Sequence, residues 1–105
     1  MVTFLDGPAK GSVLHLRRAP LLLRVVIDPE GKVDALDQLD DTPTANEAIR
    51  VCRRVGEAGM AIICSRGKGC QKAAIAEYRL YKEQPSDDVM RDTKAWRKWC
   101  EERRP

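Results

Sequence analysis

No stretch of the 105-residue chain approaches the roughly 20 consecutive apolar residues that a membrane-spanning helix needs. The longest apolar run, residues 20–23, stops at Arg24 before Val25, Val26 and Ile27 resume. No transmembrane helix is expected. The N-terminus MVTFLDGPAKG lacks a basic region followed by a long apolar one, and Asp6 arrives early. Neither a secretory signal nor a transit peptide is visible, so a cytoplasmic location is expected.

The chemistry of catalysis is also thinly represented. The chain has one histidine, His15, no Gly-x-Ser-x-Gly motif and no Cys–His pair close in sequence, so nucleophilic hydrolysis lacks its parts. The Gly-x-x-x-x-Gly-Lys-Ser/Thr pattern of a phosphate-cradling loop is missing. No enzyme and no cofactor are expected. Four cysteines are present, Cys52, Cys64, Cys70 and Cys100, but none forms a Cys-x-x-Cys pair. That spacing disfavours zinc, and a reducing compartment disfavours disulfides, so buried or idle thiols are the preferred reading. A metal site using His15 and a Cys64–Cys70 bridge are the alternatives.

Charge is nearly balanced: 19 Lys and Arg against 16 Asp and Glu give +3, too little to argue nucleic-acid binding from the total. Its distribution says more. Cations gather at Arg17 and Arg18, at Arg50, Arg53 and Arg54, across residues 66–72, and at Lys94, Arg97, Lys98, Arg103 and Arg104. Carboxylates gather at Asp34, Asp37, Asp40 and Asp41. Such a dipolar surface suits docking onto a patterned partner better than coating a polyanion. The aspartates lack EF-hand spacing, and Asp40-Asp41-Thr42-Pro43 reads as a turn.

With 43% hydrophobic residues, the chain can bury one modest core, which predicts a single domain over 1–105, strand-rich over 1–83 and helical over 86–104. Residues 2–5 and 12–16 flank a Gly- and Pro-containing turn and predict a hairpin. Leu21, Leu23, Val25 and Ile27 share one face of the next strand, with Arg24 on a partly wet opposite face. Asp28-Pro29-Glu30-Gly31 carries turn chemistry and reverses the chain into residues 33–39.

Residues 44–56 satisfy two patterns. Thr44 and Glu47 form a capping box ahead of a helical stripe of Ala48, Val51, Cys52 and Val55. The same segment alternates β-branched residues with arginines, and strand is narrowly preferred over helix. Residues 60–64 predict a short strand and residues 73–81 the last one, joined by a loop whose two glycines and three cations suit either phosphate contact or a partner-docking tip. After Pro85, Ser86 caps a helix over residues 87–103, with Asp87 and Asp88 in its first turn and Lys98, Arg103 and Arg104 toward its end. Val89, Met90, Trp96, Trp99 and Cys100 form its apolar stripe. Trp96 and Trp99 are the expected core anchors, at roughly 150–250 Å² each.

The opening Phe4-Leu5-Asp6-Gly7-Pro8-Ala9-Lys10-Gly11, with the later Arg53-Arg54 and Ala76-Glu77-Tyr78-Arg79, resembles small uncharacterised proteins encoded by bacteriophages and prophages that begin strand, Gly-Pro-x-x-Gly, strand. The likeness covers about the first 30 residues. It implies a sheet-based fold and a phage or prophage setting, in the host cytoplasm or the virion, and it transfers no activity.

The expectation is an α+β domain: a twisted or rolled antiparallel sheet of five to seven strands with the C-terminal helix packed on it. The expected role is non-catalytic protein binding, as an accessory or structural component of a phage or mobile element, the partner being a second copy, a virion protein or a host protein. Arg50, Arg54, Arg66, Lys68 and Lys72 are the candidate docking residues. Two alternatives use the same residues or their acidic counterparts. One is a nucleic-acid-binding module built on the basic loop and helix; the other is an inhibitor of a nucleic-acid-handling host enzyme, with residues 34–41 mimicking phosphate.

Overall fold

A computed structural model describes residues 1–36 and 46–103. In chain order the elements are β1 (Val2–Phe4), β2 (Val13–Leu14), β3 (Leu22–Ile27), β4 (Val33–Ala35), β5 (Ala48–Ser65), β6 (Gly69–Leu80), α1 (Asp87–Arg91) and α2 (Thr93–Glu101). The strands form one six-stranded sheet in the order β2-β1-β6-β5-β3-β4. Both predicted hairpins form. The second is fixed by Asp28, whose carboxylate accepts from the Glu30 and Lys32 amides at 3.0 and 2.8 Å while its carbonyl accepts from Gly31. The first needs Gly7 at φ +72°, where a Cβ would also stand 2.9 Å from the Leu80 side chain.

The sheet is not wholly antiparallel. β1 pairs parallel with β6, Val2 opposite Ala76 and Phe4 opposite Tyr78, so the N-terminal hairpin is stitched to the last strand rather than to its sequence neighbours. This lets the sheet curl. One apolar cluster draws Val2, Phe4, Leu23, Val25, Ala35, Cys52 and Tyr78 from five strands, with Leu14 of β2 packed against it, and all six strands share this inner face. The sheet is nearly closed and barrel-like.

A second cluster lies on the outer face of β3 and β5, where Leu22, Val26, Ile49 and Val51 meet Met90 and Trp96. β3 is therefore buried on both faces. Arg24, expected to be partly wet, is only 4% exposed, because the helical segment covers it and offers the Met90 carbonyl to its guanidinium at 2.8 Å.

The predicted continuous helix is two helices broken at Asp92. That residue leaves the helical region at φ −108°, ψ 118° and its carboxylate accepts from the Lys94 and Ala95 amides, capping α2. Asp-Thr supplies a better start signal than continuation, since Asp side chains compete for backbone amides. Ser86 occupies the position before α1 but makes no side-chain capping bond. Trp96 is buried and Trp99 half-buried, their rings stacked at 5.4 Å.

The segment that carried both helix and strand patterns is strand over its described part. It runs on without a break through Gly56 and Gly59 into the segment expected to be a separate strand, so β5 is 18 residues long. The join is a bulge: the register with β6 shifts between Val55 and Gly59. Residues 37–45, including Asp37, Asp40, Asp41 and the proposed cap Thr44, lie outside the described residues, as does Arg104.

Candidate functional site

The bulge divides β5 into two parts with different surroundings. Up to Arg53 it pairs with β3 on one side and β6 on the other. Beyond Val55 its only partner among the described residues is β6, and β6 in turn meets β1 only from Ala76 onward. The intervening ribbon is a two-stranded arm projecting from the barrel. The radius of gyration is 14.1 Å, above the roughly 13 Å of a compact domain this size.

The tip is a tight reversal. The Lys68 amide donates to the Ser65 carbonyl at 3.1 Å, and Gly67 takes φ +82°, a conformation that an L side chain resists. Cys64 and Cys70 stand directly opposite and are joined by a disulfide, with Cα atoms 4.0 Å apart. The expectation of idle thiols therefore fails for this pair. Six-residue spacing around a Gly-x-Gly turn puts the two sulfurs on one face of a hairpin, so spacing that argued against zinc argues for a bridge. Cys52 and Cys100 take part in no disulfide.

Side chains on the arm are exposed on both faces. Met60 and Ile62 share one face, at 59% and 68% exposure; Ile63 and Ile75 share the other, with Ile75 at 48%. Sequence reading recognised residues 60–64 as an apolar strand and missed that, among the described residues, its side chains stay largely uncovered. The signal was there: apolar residues at both parities, opposed by Lys72 and Gln71, cannot belong to a strand with one face in a core.

The candidate docking cations do not converge. Arg66, Lys68 and Lys72 lie exposed on the arm's tip, with no acidic residue between Met60 and Lys72. Arg50 is exposed far down β5, opposite Val25, and donates to the Ile49 carbonyl. Arg54 is committed to the fold, donating to the carbonyls of Gly56 and Ala19. Arg103 packs over the Trp99 ring at 3.8 Å and pairs with Glu83 at 2.9 Å.

The two groups with displaced proton affinities are both interior. Burial, reinforced by the charge of Asp6, pushes the Cys52 thiol up to about 12. Burial likewise raises the Tyr78 phenol, which is opposed by Arg54 and donates to the Pro20 carbonyl. Both are held protonated at neutral pH, the reverse of an activated nucleophile. No cluster of three or more His, Cys, Asp or Glu side chains among the described residues could hold a metal ion. A cleft of about 310 Å³ between β3 and α2 is lined by Pro20, Leu21, Leu22, Trp96 and Cys100, with Arg97, Glu101 and Arg103 as its charged residues.

Compared with family models, curated proteins and solved structures, the chain finds no match. No helix of the described residues is long and apolar enough to cross a membrane.

Proposed function

We propose that this chain is a non-catalytic protein-binding domain that docks through the β5–β6 arm. The observation that carries the reading is a two-stranded ribbon exposing Met60, Ile62, Ile63 and Ile75, whose β5 edge beyond Val55 meets no further strand among the described residues. An isolated two-stranded hairpin is marginal in water, and exposed apolar residues beside open strand edges are a template for another chain. The cations at the tip add electrostatic steering toward an acidic surface. The resemblance of the opening motif to phage and prophage proteins supports a place among the accessory or structural proteins of a phage or mobile element.

Arg66, Lys68 and Lys72 favour a second reading, contact with nucleic acid through the tip. Residues 56–75 contain no Phe, Trp or Tyr, however, so the arm offers no aromatic surface on which bases could stack. Titrating the purified protein with a generic DNA duplex at low and at physiological salt separates the two. Protein docking predicts at most a complex that disappears at physiological salt; a duplex complex that survives there overturns the proposal.

A further inference from the structure

Two edges of the arm differ in what they would tolerate beside them. The β6 edge carries Lys72 and runs under β1 from Ala76. The β5 edge from Glu57 to Ser65 contains no proline and no lysine, the two residues that most often blunt an exposed edge, and Glu57 is its one charge. A strand edge of this length without such protection is suited to a partner strand.

The sequence of that edge is also self-complementary when reversed. Its base is acidic at Glu57 and its tip basic at Arg66, with Met60, Ala61 and Ile62 between them. Two copies laid antiparallel about a twofold axis through Ala61 place Met60 opposite Ile62 of the other copy, twice. They also bring Glu57 beside the turn residue Arg66 of the other copy, again twice. Parity agrees with this register. The amides of Ala74 and Ala76 point outward from β6, toward Leu16 and Met1, so the even positions of the ribbon face outward. Across the ladder from Ala74 and Lys72, Met60 and Ile62 then turn their backbone groups to the open β5 edge, where two such residues would exchange hydrogen bonds.

We propose that the arm's partner is a second copy of this chain, joined β5 to β5 in antiparallel register about Ala61. Two marginal hairpins thereby become one four-stranded ribbon, the size at which a sheet with an apolar face becomes independently stable. The closed twofold arrangement uses up both β5 edges, which ends growth at two copies. This inference rests on the docking-arm reading and narrows it to self-recognition.

Light scattering over a range of concentrations tests it. The full chain is expected at twice its 11.8 kDa mass. Ile62→Glu, at a position 68% exposed and opposite Lys72 in its own hairpin, is expected to leave the fold intact and to weaken self-association about tenfold or more. Glu57→Lys and Arg66→Glu should each weaken it, because each sets like charges together at both contacts. An equimolar mixture of those two variants should regain the doubled mass, because every contact is then again between opposite charges. A monomer at all concentrations, an open-ended series of larger species, or a mixture that stays monomeric overturns the pairing. The duplex titration addresses the docking reading separately, so a monomer that binds no DNA removes self-pairing alone.

Discussion

The guanidinium of Arg24 lies 4.8 Å from the centre of the Trp96 ring while its Nη1 donates to the Met90 carbonyl at 2.8 Å. One side chain from the barrel wall thus holds both helices, α1 through a carbonyl near its C-terminus and α2 through an aromatic face. The flat guanidinium suits both contacts at once: it stacks on the indole and donates in its own plane.

Arg24→Ala should therefore cost more than an average surface change. It opens a void between Leu22, Val26 and Trp96 and removes a charge-assisted bond to the Met90 carbonyl, for a loss of about 3 kcal/mol. Arg24→Lys keeps a donor but loses the stack, and should recover only part of it. Urea unfolding of the three proteins checks the order; equal midpoints for the alanine variant and the parent would mean that the helices dock without this residue.

Gln84 acts as a strand neighbour made from a side chain. Its Oε1 accepts from the Val51 amide at 2.8 Å and its Nε2 donates to the Val51 carbonyl at 2.9 Å and the Tyr81 carbonyl at 2.8 Å. These bonds tie the chain leaving β6 to the N-terminal part of β5. Gln84→Ala should cost about 1–2 kcal/mol. Gln84→Glu should be no better, since a carboxylate cannot donate to the two carbonyls. Thermal unfolding reads both, and a glutamate variant as stable as the parent would show that these bonds contribute little.

Local chemistry was legible in the sequence. Asp28-Pro29-Glu30-Gly31 named its turn, alternation named β3, and the arginines interleaved with Ile49, Val51 and Val55 rightly favoured strand for the described part of that segment. Long-range relations were less so. The parallel pairing of β1 with β6 joins residues about 74 positions apart and leaves no local mark. Arg24 looked like a solvated residue because charge is the usual sign of a wet face, and only the tertiary placement of Trp96 reverses that. Asp92 could have been seen as a second cap, since Asp before Thr interrupts the helical stripe between Met90 and Trp96. Of the candidate docking residues, Arg66, Lys68 and Lys72 share the arm. Arg50 and Arg54 do not, because the strand carrying them is longer than its pattern suggested.

Cys52 gives the fold an alkaline limit. Its thiol is raised from 9.0 to about 12 by burial and by Asp6, so the folded state resists ionisation that the unfolded state allows. Stability from this group is fully present below pH 9.0 and is lost progressively as pH climbs toward 12. The slope should approach about 1.4 kcal/mol per pH unit for one such group. Cys52→Ala should flatten the early part of that decline while leaving the later part due to Tyr78, whose phenol is raised in the same direction. Urea midpoints across this range check it, and an unchanged slope in the variant would assign the loss to other groups.

The Cys64–Cys70 bridge should matter for the arm and little for the barrel. It closes a loop with a sequence separation of 6, which in the chain-entropy account favours the closed hairpin by about 2 kcal/mol. Both clusters of buried side chains lie below the bulge, and neither includes a residue from the segment 56–72. Opening the tip therefore costs the core no packing, and the arm can fray as its own unit. Replacing both cysteines by serine should raise amide exchange at Ala61, Ile63 and Gln71, whose amides face across the ladder, several-fold while the global urea midpoint moves only slightly. A large global loss would instead place the arm inside the cooperative unit. If the arm is the docking element, the same variant should also bind its partner less tightly, because the ribbon must then be ordered at the moment of binding.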